Sequence, residues 1–371
     1  MIELTGVMVT VSPLHIGTGK KRGTFSETRE YVPGRAIRGM VGYHLHSNNP
    51  ELFKKLRIDE DYDMGKTGVF FKDALPRYVN ENDPSIIKPT VASPISLRWC
   101  KKCKSLMEYK STECSNTING KTCLHEGKKM TGFITKDSMT TGKLEKAYVN
   151  KTIVTKCPIT RGGHTSPGLD YELSPYHIES ISQKTKFGFR CIVEDEFVDD
   201  LKDTLNEAGV FGGLGGYRSR GYGTVAFTEM NKSSVDDVIN KRANELSQIS
   251  NLMMVTNSPM IIRDGKIPII GFDSQFCDSA AKTFALSGHD GVLRLKHDKD
   301  VIKQRKTKGI AAGWSIKCNN RVSEIISCIG HGSCVEIDAD NFEALAALEV
   351  FGVGEMTNSG YGDVYFTGGQ I

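Results

Sequence analysis

Four cysteines between residues 100 and 123 have the spacing of a metal site. Two residues separate Cys100 from Cys103, ten separate Cys103 from Cys114, and eight separate Cys114 from Cys123. A Cys-x2-Cys pair binds one ion with two thiolates from a tight turn, and zinc is the usual ion for four such ligands. Because the flanking residues are too polar for a core of free cysteines, we predict a structural zinc site. His125 is an alternative ligand that would replace Cys114 or Cys123.

The other six cysteines lie among apolar neighbours, and we expect them to be buried as small hydrophobic residues. They are Cys157, Cys191, Cys277, Cys318, Cys328 and Cys334. Since the chain reads as cytosolic, we do not expect its ten cysteines to form a disulfide framework.

A glycine-rich loop at residues 212–223 combines flexible backbone with two arginines and two tyrosines. Glycines let backbone amides approach phosphates closely, arginine pairs with phosphate, and tyrosine stacks on an unpaired base. This composition predicts RNA-binding roles for Tyr217, Arg218, Arg220 and Tyr222. The alternative interpretation is a tight structural turn.

Two further basic clusters lie near the N-terminus. Lys20, Lys21 and Arg22 occupy a flexible loop that follows the first predicted strand. A helix is predicted to start near Arg35, so Arg35 and Arg38 would project together from its first turn. Both clusters are candidates for binding an anionic polymer, although basic stretches are commonly just solvated surface.

Three histidines, His15, His44 and His46, raise the question of catalysis. A metal-free ribonuclease would use a histidine as general acid or base. No spacing pairs any of the three with a lysine, a tyrosine or a second histidine. We therefore expect packing or surface histidines and predict no catalytic residue.

The elements that would position these residues occur twice. Val210-Phe211-Gly212 leads through the glycine loop to a strand ending at Phe227, and Val350-Phe351-Gly352 leads through a similar loop to a strand ending at Phe366. A strand and Ser-Pro turn near Pro13 likewise recur near Pro259. Matched landmarks in the same order indicate one duplicated module. The second loop has lost both arginines and gained Glu355, so a structural turn is expected there.

The pattern of elements predicts an α+β fold. In each half a helix precedes the glycine loop and a strand follows it, which is the reverse of the order in a dinucleotide-binding fold. We place the first module at residues 1–232, with an insertion at 95–170 whose zinc-ribbon-like part is 95–130, and the second at 251–371. The lysine-rich stretch that follows the cysteines, up to residue 170, is expected to form loops with little core.

Composition excludes several classes of protein. The 371 residues are 39% hydrophobic and 25% charged, as in a globular protein. No apolar run reaches membrane-spanning length and no signal region opens the chain, so we expect a cytoplasmic protein without a membrane partner. The formal net charge of +4 is too small to indicate nucleic-acid binding by itself.

Several of these motifs together resemble the repeat-associated mysterious protein (RAMP) superfamily of CRISPR systems. The residues that carry the resemblance are the strand with Ser12-Pro13, the loop Gly17-Thr18-Gly19, the segment from Val32 to Gly39, and the loop ending Arg220-Gly221-Tyr222-Gly223. The segment from Phe71 to Pro76, and Gly313-Trp314 followed by the segment from Gly332 to Val335, look like two-module members of type III-D systems and their relatives.

The resemblance implies two fused ferredoxin-like (RRM-like) domains in a non-catalytic subunit. Such a subunit holds the 5′ repeat-derived handle of CRISPR RNA (crRNA), caps one end of a filament of other RAMP backbone subunits, and meets target RNA only indirectly. Type VII is a further system that it resembles. In this chain Arg35, Arg38, Arg218 and Arg220 would bind handle phosphates, residues 20–22 would order around the RNA, and Tyr217 or Tyr222 would stack on a base.

Two alternatives within the same superfamily stay open at this stage. One is a metal-independent endoribonuclease that processes the CRISPR repeat, because that family shares the folds and the glycine loop. The other is a backbone subunit that forms the filament itself.

Overall fold

The structure is a computed structural model that describes residues 1–58, 68–108, 111, 113–118, 120–157, 175–312, 314–315, 321–322 and 325–369. Within these ranges it does not describe the side chains of residues 20–22, 108, 118, 314–315 and 321–322. Several predictions therefore concern residues outside the described part. They are the predictions for the side chains of Lys20, Lys21 and Arg22, for Gly313 and Cys318, and for residues 158–170 of the predicted insertion.

The first part of the chain is a series of strands with two helices. Its elements are β1 (Ile2–Thr10), β2 (Gly17–Arg22), β3 (Phe25–Thr28), α1 (Gly34–Asn48), α2 (Pro50–Lys55), β4 (Val69–Phe71), β5 (Leu75–Pro76), β6 (Tyr78–Val79) and β7 (Ile87–Lys88).

Strand β8 (Thr90–Ala92) comes just before the predicted insertion, which contains short strands and one helix. Its elements are β9 (Leu97–Cys100), β10 (Leu106–Glu108), β11 (Thr117–Ile118), β12 (Lys121–Thr122), β13 (Gly127–Lys129), β14 (Phe133–Thr135), α3 (Lys136–Thr141), β15 (Lys146–Ala147) and β16 (Lys151–Lys156). The following elements are β17 (Tyr176–Ile181), β18 (Lys186–Val193), α4 (Val198–Glu207), β19 (Val225–Ser234) and the linking helix α5 (Val235–Leu246).

The last third starts again with a long strand. Its elements are β20 (Leu252–Thr256), β21 (Arg263–Asp264), β22 (Ile267–Pro268), α6 (Ser274–Ser287), β23 (Leu293–Leu295), β24 (His297–Asp298), β25 (Val301–Ile302), β26 (Gln304–Arg305), β27 (Lys308–Ala311), β28 (Trp314–Ser315), β29 (Arg321–Val322), β30 (Ile326–Ile329), β31 (Cys334–Ala339), α7 (Phe342–Phe351) and β32 (Val364–Gly368).

Two antiparallel sheets with the same topology organise these elements, so the predicted α+β class is confirmed. The first has the order β19-β1-β18-β4, with helices α1 and α4 in the crossovers, and we call it the first module. The second has the order β23-β31-β20-β32, with α6 and α7, and we call it the second module. Numbered within its own module, each sheet runs 4-1-3-2 in a β-α-β-β-α-β chain order, the split βαβ arrangement of ferredoxin-like folds.

The duplication extends to backbone conformation in the glycine loops. Residues with positive φ are spaced identically in the two loops: Gly213, Gly215, Tyr217, Gly221 and Gly223 in the first, and Gly352, Gly354, Met356, Gly360 and Gly362 in the second. Each loop is tied to its Ser-Pro turn in the same way, with Gly223 N donating to Pro13 O at 2.9 Å and Gly362 N to Pro259 O at 2.8 Å. The predicted repeat is confirmed at this level.

Each module has an apolar core on the helix side of its sheet. The first contains Leu4, Met8 and Phe189 together with α1 and α4 residues such as Val41 and Leu205. The second packs α6 and α7, joined by α5, against β20, β31 and β32, and it also includes Phe70 and Ile192. Those two residues belong to β4 and β18, so the cores of the two modules meet at the edge of the first sheet.

Strand β8 and part of the predicted insertion lie on the second module. Strand β8 pairs with β14, which pairs with β15. Val91 of β8 packs on Met253, Val255, Cys334 and Tyr365, and Ile95 and Met139 of the insertion pack against the same cluster. The Tyr365 hydroxyl donates to Ala92 O at 2.7 Å, and Ala92 N donates to Asn257 Oδ1 at 2.8 Å. The expectation of loops with little core was wrong for Phe133–Thr135, because this fully buried strand is sandwiched between two others.

Candidate nucleic-acid interface and metal site

The first glycine loop is held by backbone contacts that only glycine permits. A Cβ at Gly223 would lie 2.2 Å from Leu214 O, and one at Gly215 would lie 2.3 Å from His15 O. Both residues also have positive φ, where a side chain adds strain. The glycines therefore let the loop fold back on itself and on the turn near His15, which fixes where its arginines leave the backbone.

The two arginines of this loop are exposed and rest on aromatic rings. Arg218 donates from Nη1 to Gly212 O at 2.8 Å, and its guanidinium lies 5.1 Å from the ring centre of Tyr43. Arg220 contacts the Tyr176 hydroxyl and lies 5.7 Å from the ring centre of Tyr217. Cation–π contacts of this kind orient a guanidinium and leave N–H groups for an incoming anion.

The two tyrosines of the loop differ in accessibility. Tyr222 is only 8% exposed, whereas Tyr217 is half-buried. Tyr217 packs edge-on against His15, with ring centres 5.0 Å apart. Of the two residues predicted to stack on a base, Tyr217 is the one with an accessible face.

The strand that carries the first basic cluster belongs to the same surface. Strand β2 pairs with β3, β3 pairs with β17, and β17 begins at Tyr176 beside Arg220. Neighbouring strands lie about 4.8 Å apart, so β2 runs roughly 10 Å from β17. The backbone of residues 20–22 is thus placed next to the glycine loop, as an RNA track would need.

Arg35 and Arg38 leave the first turn of α1 together, as their spacing predicts, but both reach the second module. Arg35 Nη1 donates to Tyr361 Oη at 2.9 Å and to Ala312 O at 2.5 Å. Arg38 contacts the Ser359 hydroxyl and donates from Nε to Ile58 O at 3.0 Å. The structure therefore places these two arginines at the junction of the modules, apart from the Arg218 and Arg220 surface.

The second glycine loop is buried in that junction. Thr357, Asn358, Ser359 and Tyr361 are all buried. Gly360 lies so close to Gly34 that a Cβ would approach its Cα to 2.9 Å. The two equivalent loops thus have different environments, one facing solvent and one packed on α1.

A buried charge network that the sequence did not reveal also joins the modules. Asp363 accepts a hydrogen bond from Arg190 at 2.6 Å, and Lys72 Nζ lies 3.5 Å from the same oxygen. Burial alone would raise the pKa of Asp363, but the charges of Arg190 and Lys72 hold it below its ordinary value. Burial lowers the pKa of Lys72 to about 8, against the opposing effect of Asp363.

The four predicted cysteines converge on one point. The ligand atoms of Cys100, Cys103, Cys114 and Cys123 all lie within 4.8 Å of one another. A tetrahedral zinc ion with bonds of about 2.3 Å requires sulfurs about 3.8 Å apart, and the measured Cys100–Cys123 and Cys103–Cys114 separations are 3.6 and 3.4 Å. These residues fit a four-coordinate metal site.

His125 lies outside this cluster of sulfurs. It is exposed, and its Nδ1 lies 2.6 Å from Cys123 O, with which it shares a hydrogen bond. The four-cysteine alternative is therefore the one that the described residues bring together. Of the other cysteines, Cys191, Cys328 and Cys334 are buried as predicted, Cys277 is half-buried, and Cys157 is exposed.

The three histidines occupy ordinary positions. His15 is buried, with Nδ1 2.7 Å from Glu179 O. His44 Nε2 lies 3.0 Å from a Glu207 oxygen, and His46 packs edge-on against Phe53.

The two tyrosines that lie under Arg218 and Arg220, Tyr43 and Tyr176, were not predicted from the sequence. Tyr43 is an exposed aromatic on the polar face of α1, and Tyr176 opens β17. An aromatic residue on the polar face of a helix was the sequence signal for Tyr43. The contacts Tyr43–Arg218 and Tyr176–Arg220 join residues far apart in sequence, so local patterns do not predict them.

Within the described part of the chain, no helix combines the length and the apolar character needed to cross a bilayer.

Comparison with known families gives one extended match. The family model described as the RAMP superfamily matches residues 7–226, more than half of the 371-residue chain. Among curated proteins no match was found.

Solved structures provide distant matches. A chain of a type III-B Cmr-beta complex bound to cognate target RNA is 14% identical, with a TM-score of 0.36 over 62% of this chain and 60% of that chain. An RAMP protein binding different RNA substrates is 10% identical, with a TM-score of 0.37 over 99% and 100%. A Cmr-beta chain in a complex with cognate target RNA and AMPPnP is 12% identical, with a TM-score of 0.40 over 90% and 86%. The chain thus spans about 60% of the length of the first of these.

Proposed function

Because the chain belongs to the RAMP superfamily, we propose that it is an RNA-binding subunit of a cytoplasmic CRISPR effector ribonucleoprotein in antiviral defence. In this proposal it holds the 5′ repeat-derived handle of crRNA and caps one end of a filament of RAMP backbone subunits. It meets target RNA only indirectly, through the guide. The assembly would be of type III-D or the related type VII.

The observation that carries the proposal is the contrast between the two glycine loops. The second loop is buried against α1, whereas the first presents Arg218 and Arg220 to solvent above Tyr43, Tyr176 and Tyr217. Arginines fixed on aromatic rings beside a half-exposed tyrosine suit phosphates and an unpaired base of single-stranded RNA. The first module would therefore do most of the RNA binding, with Arg35 and Arg38 contributing where the strand passes the junction.

The covered sheet faces support this location. Ferredoxin-like RNA-binding modules of the RRM type stack bases on the open face of the sheet. Here Val91 of β8, together with Ile95 and Met139 of the insertion, packs on that face of the second module. In the first module, Phe70 and Ile192 of the sheet are included in the apolar core of the second. RNA binding by loops is consistent with this arrangement.

The cysteine site would hold a structural zinc ion. Four thiolates complete a tetrahedral shell and leave no position for substrate, so the ion would stabilise the insertion without taking part in chemistry. The Ser105 hydroxyl lies 2.9 Å from Cys103 Sγ, and donating its proton there would support the thiolate form of Cys103.

The test is binding of labelled crRNA handle to the purified chain and to an Arg218→Ala/Arg220→Ala variant. Loss of two phosphate contacts should weaken binding about tenfold or more and reduce the slope of log K against log salt by about 1.4, at about 0.7 per contact. Arg294→Ala, an exposed arginine on the second module, is the matched control and should change neither quantity. Equal affinity and salt slope for the double variant and the wild type would remove the assigned surface.

Incubation of the purified chain with repeat RNA in EDTA separates the alternatives. A capping subunit leaves the repeat RNA intact, whereas a metal-independent endoribonuclease cuts it. Native mass spectrometry of the assembly then gives the copy number, and more than one copy per guide would indicate a filament-forming backbone subunit.

A further inference from the structure

The two modules end their second helix with the same residues in opposite environments. Phe351, at the end of α7, is buried, whereas Phe211, in the helical turn that follows α4, is 81% exposed. Val210 beside it is also exposed, and so is Tyr43 on the neighbouring helix α1. Arg218 joins the two elements, because it binds Gly212 O and lies over the Tyr43 ring. These three apolar side chains form an exposed patch that we call the Phe211 patch.

The turn between α4 and the first glycine loop contains one residue more than the turn between α7 and the second glycine loop. Gly213 N donates to Ala208 O, five residues back, whereas Gly352 N donates to Leu348 O, four residues back. This π-type turn at Ala208–Gly212 is a one-residue insertion, and such turns cluster at functional sites.

The buried copy shows what such a helix end does. Phe351 packs edge-on against Phe70 of β4, with ring centres 5.8 Å apart. Asp363, at the end of the adjoining loop, binds Arg190 and Lys72, which lie on and just after the sheet strands of the first module. One module therefore docks its helix end and glycine loop on the sheet edge of another, with the aromatic ring at the centre of the contact.

Each module has a sheet edge that could receive such a helix end. In the described part of the chain, one of these edges is already covered and the other has different residues. The first module's sheet edge is covered by the second module. In the second module, Lys296 N donates to Glu336 O as Lys72 N does to Arg190 O, so these pairs are equivalent. The register then puts Arg294 in the place of Phe70. Val91 of β8, with Ile95 and Met139 of the insertion, also covers Met253 and Cys334 on this sheet. Among the residues that the structure describes, a second copy of the chain therefore finds no receiving edge like that of the first module.

We propose that the Phe211 patch docks on the free sheet edge of a ferredoxin-like module in a different polypeptide, a neighbouring RAMP backbone subunit. The contact would resemble the one between Phe351 and Phe70 in its aromatic centre alone, because the glycine loop beside Phe211, with Arg218 and Arg220, would stay open to RNA. The chain then has a docking surface at one end, and its described residues offer no receiving surface like that of the first module at the other, which makes it the terminal member of a directional stack. This inference rests on the proposed membership in an effector complex, and it assigns the face through which the chain joins it.

The first test uses the complete complex. The chain is co-expressed with its guide RNA and the RAMP backbone subunits of the same effector, and the assembly is purified through a tag on this chain. Phe211→Asp should reduce the backbone subunits recovered by about tenfold or more, since a buried aromatic anchor dominates such contacts. Handle binding by an isolated Phe211→Ser variant, which adds no charge beside Arg218, should stay unchanged. Val301→Asp, another exposed apolar residue converted to aspartate, is the matched control and should assemble normally.

The second test identifies the occupant. A photo-crosslinking phenylalanine analogue at position 211 should cross-link to the sheet edge of a backbone subunit. A cross-link to RNA or to a second copy of this chain, or normal assembly of Phe211→Asp, would overturn the proposal. If the isolated chain binds no handle RNA but Phe211→Asp still loses the backbone subunits, the proposed RNA-binding function fails while this docking assignment stands.

Discussion

At the scale of single residues, Asp363 is the centre of the contact between the modules. It lies buried between Arg190, Lys72 and the Asn257 amide, all within 3.5 Å of its carboxylate. A buried ion pair adds little compared with an apolar contact, but removing one partner leaves the others as uncompensated buried charges. The network therefore specifies how the modules fit more than it adds to stability.

Asp363→Asn should accordingly lower the free energy of unfolding by about 3–5 kcal/mol. The amide keeps the size of the side chain but leaves Arg190 and Lys72 without their shared counter-charge. Urea unfolding monitored by circular dichroism measures the change. Asp199→Asn, which breaks the exposed contact with Lys232, is the control and should unfold like the wild type. An Asp363→Asn protein as stable as the wild type would contradict this account.

His331 gives the junction a pH dependence. Its Nδ1 bonds Asn257 O at 2.8 Å, its ring packs against Tyr31, and burial lowers its pKa to about 4. Between the unfolded pKa of about 6.5 and the folded value, the unfolded chain binds a proton that the folded chain excludes. This group therefore removes stability as the pH falls from about 6.5 towards 4.

His331→Phe removes that titration but also the bond to Asn257. The variant should be less stable than the wild type at pH 7.5, and the difference should shrink by about 2 kcal/mol at pH 5, where 1.5 pH units separate the medium from the unfolded pKa. Urea unfolding of both proteins at several pH values measures this difference, in which the other titrating groups cancel. A constant difference across the range would show that His331 takes up its proton in the folded state.

At the scale of elements, the sequence predicted those features that depend on residues close together in the chain. The helix before each glycine loop, the loop itself and the four-cysteine cluster follow from spacing alone. The loss of the arginines predicted a structural turn for the second loop but not its burial. Thr357–Ser359 and Arg218–Arg220 adopt the same conformation, and contacts between residues far apart in sequence bury the former and leave the latter exposed. The role of β14 was missed for a similar reason, since its partners β8 and β15 are short strands without periodicity.

The cysteine-bearing sheet β10-β9-β13 has almost no core apart from its sulfurs. Its buried cluster consists of Met107 and the cysteines. So small an apolar core does not offset the entropy of ordering the segment, and a bound metal would supply the missing free energy.

The purified chain should therefore contain about one zinc per molecule, measured by inductively coupled plasma mass spectrometry. Cys103→Ser should lower that content and speed amide hydrogen exchange across residues 97–129, because the sheet then loses its cross-link. Cys157→Ser, at an exposed cysteine outside the cluster, should leave both quantities unchanged. Slow exchange in a zinc-free chain would show that the sheet is stable without an ion.

At the scale of the whole molecule, the two modules share their cores. Phe70 and Ile192 of the first sheet lie among residues of α5, α7 and the second sheet. Lys72, Arg190 and Asp363 surround the same contact with charge. The sequence predicted two modules but not this sharing, because contacts between distant segments have no periodic signature.

Shared cores predict that the modules unfold together. Phe70→Ala should lower the free energy of unfolding by about 3–5 kcal/mol, since it leaves a cavity at the Phe351 contact. Hydrogen exchange should then quicken in both sheets, including β20 and β32, and urea unfolding should remain a single transition. Phe211→Ala, the exposed equivalent of Phe351, removes the same ring without a cavity and should unfold like the wild type. If Phe70→Ala instead produces two transitions, or quickens exchange in the first sheet alone, the modules are independent folding units and their contact is only a docked surface.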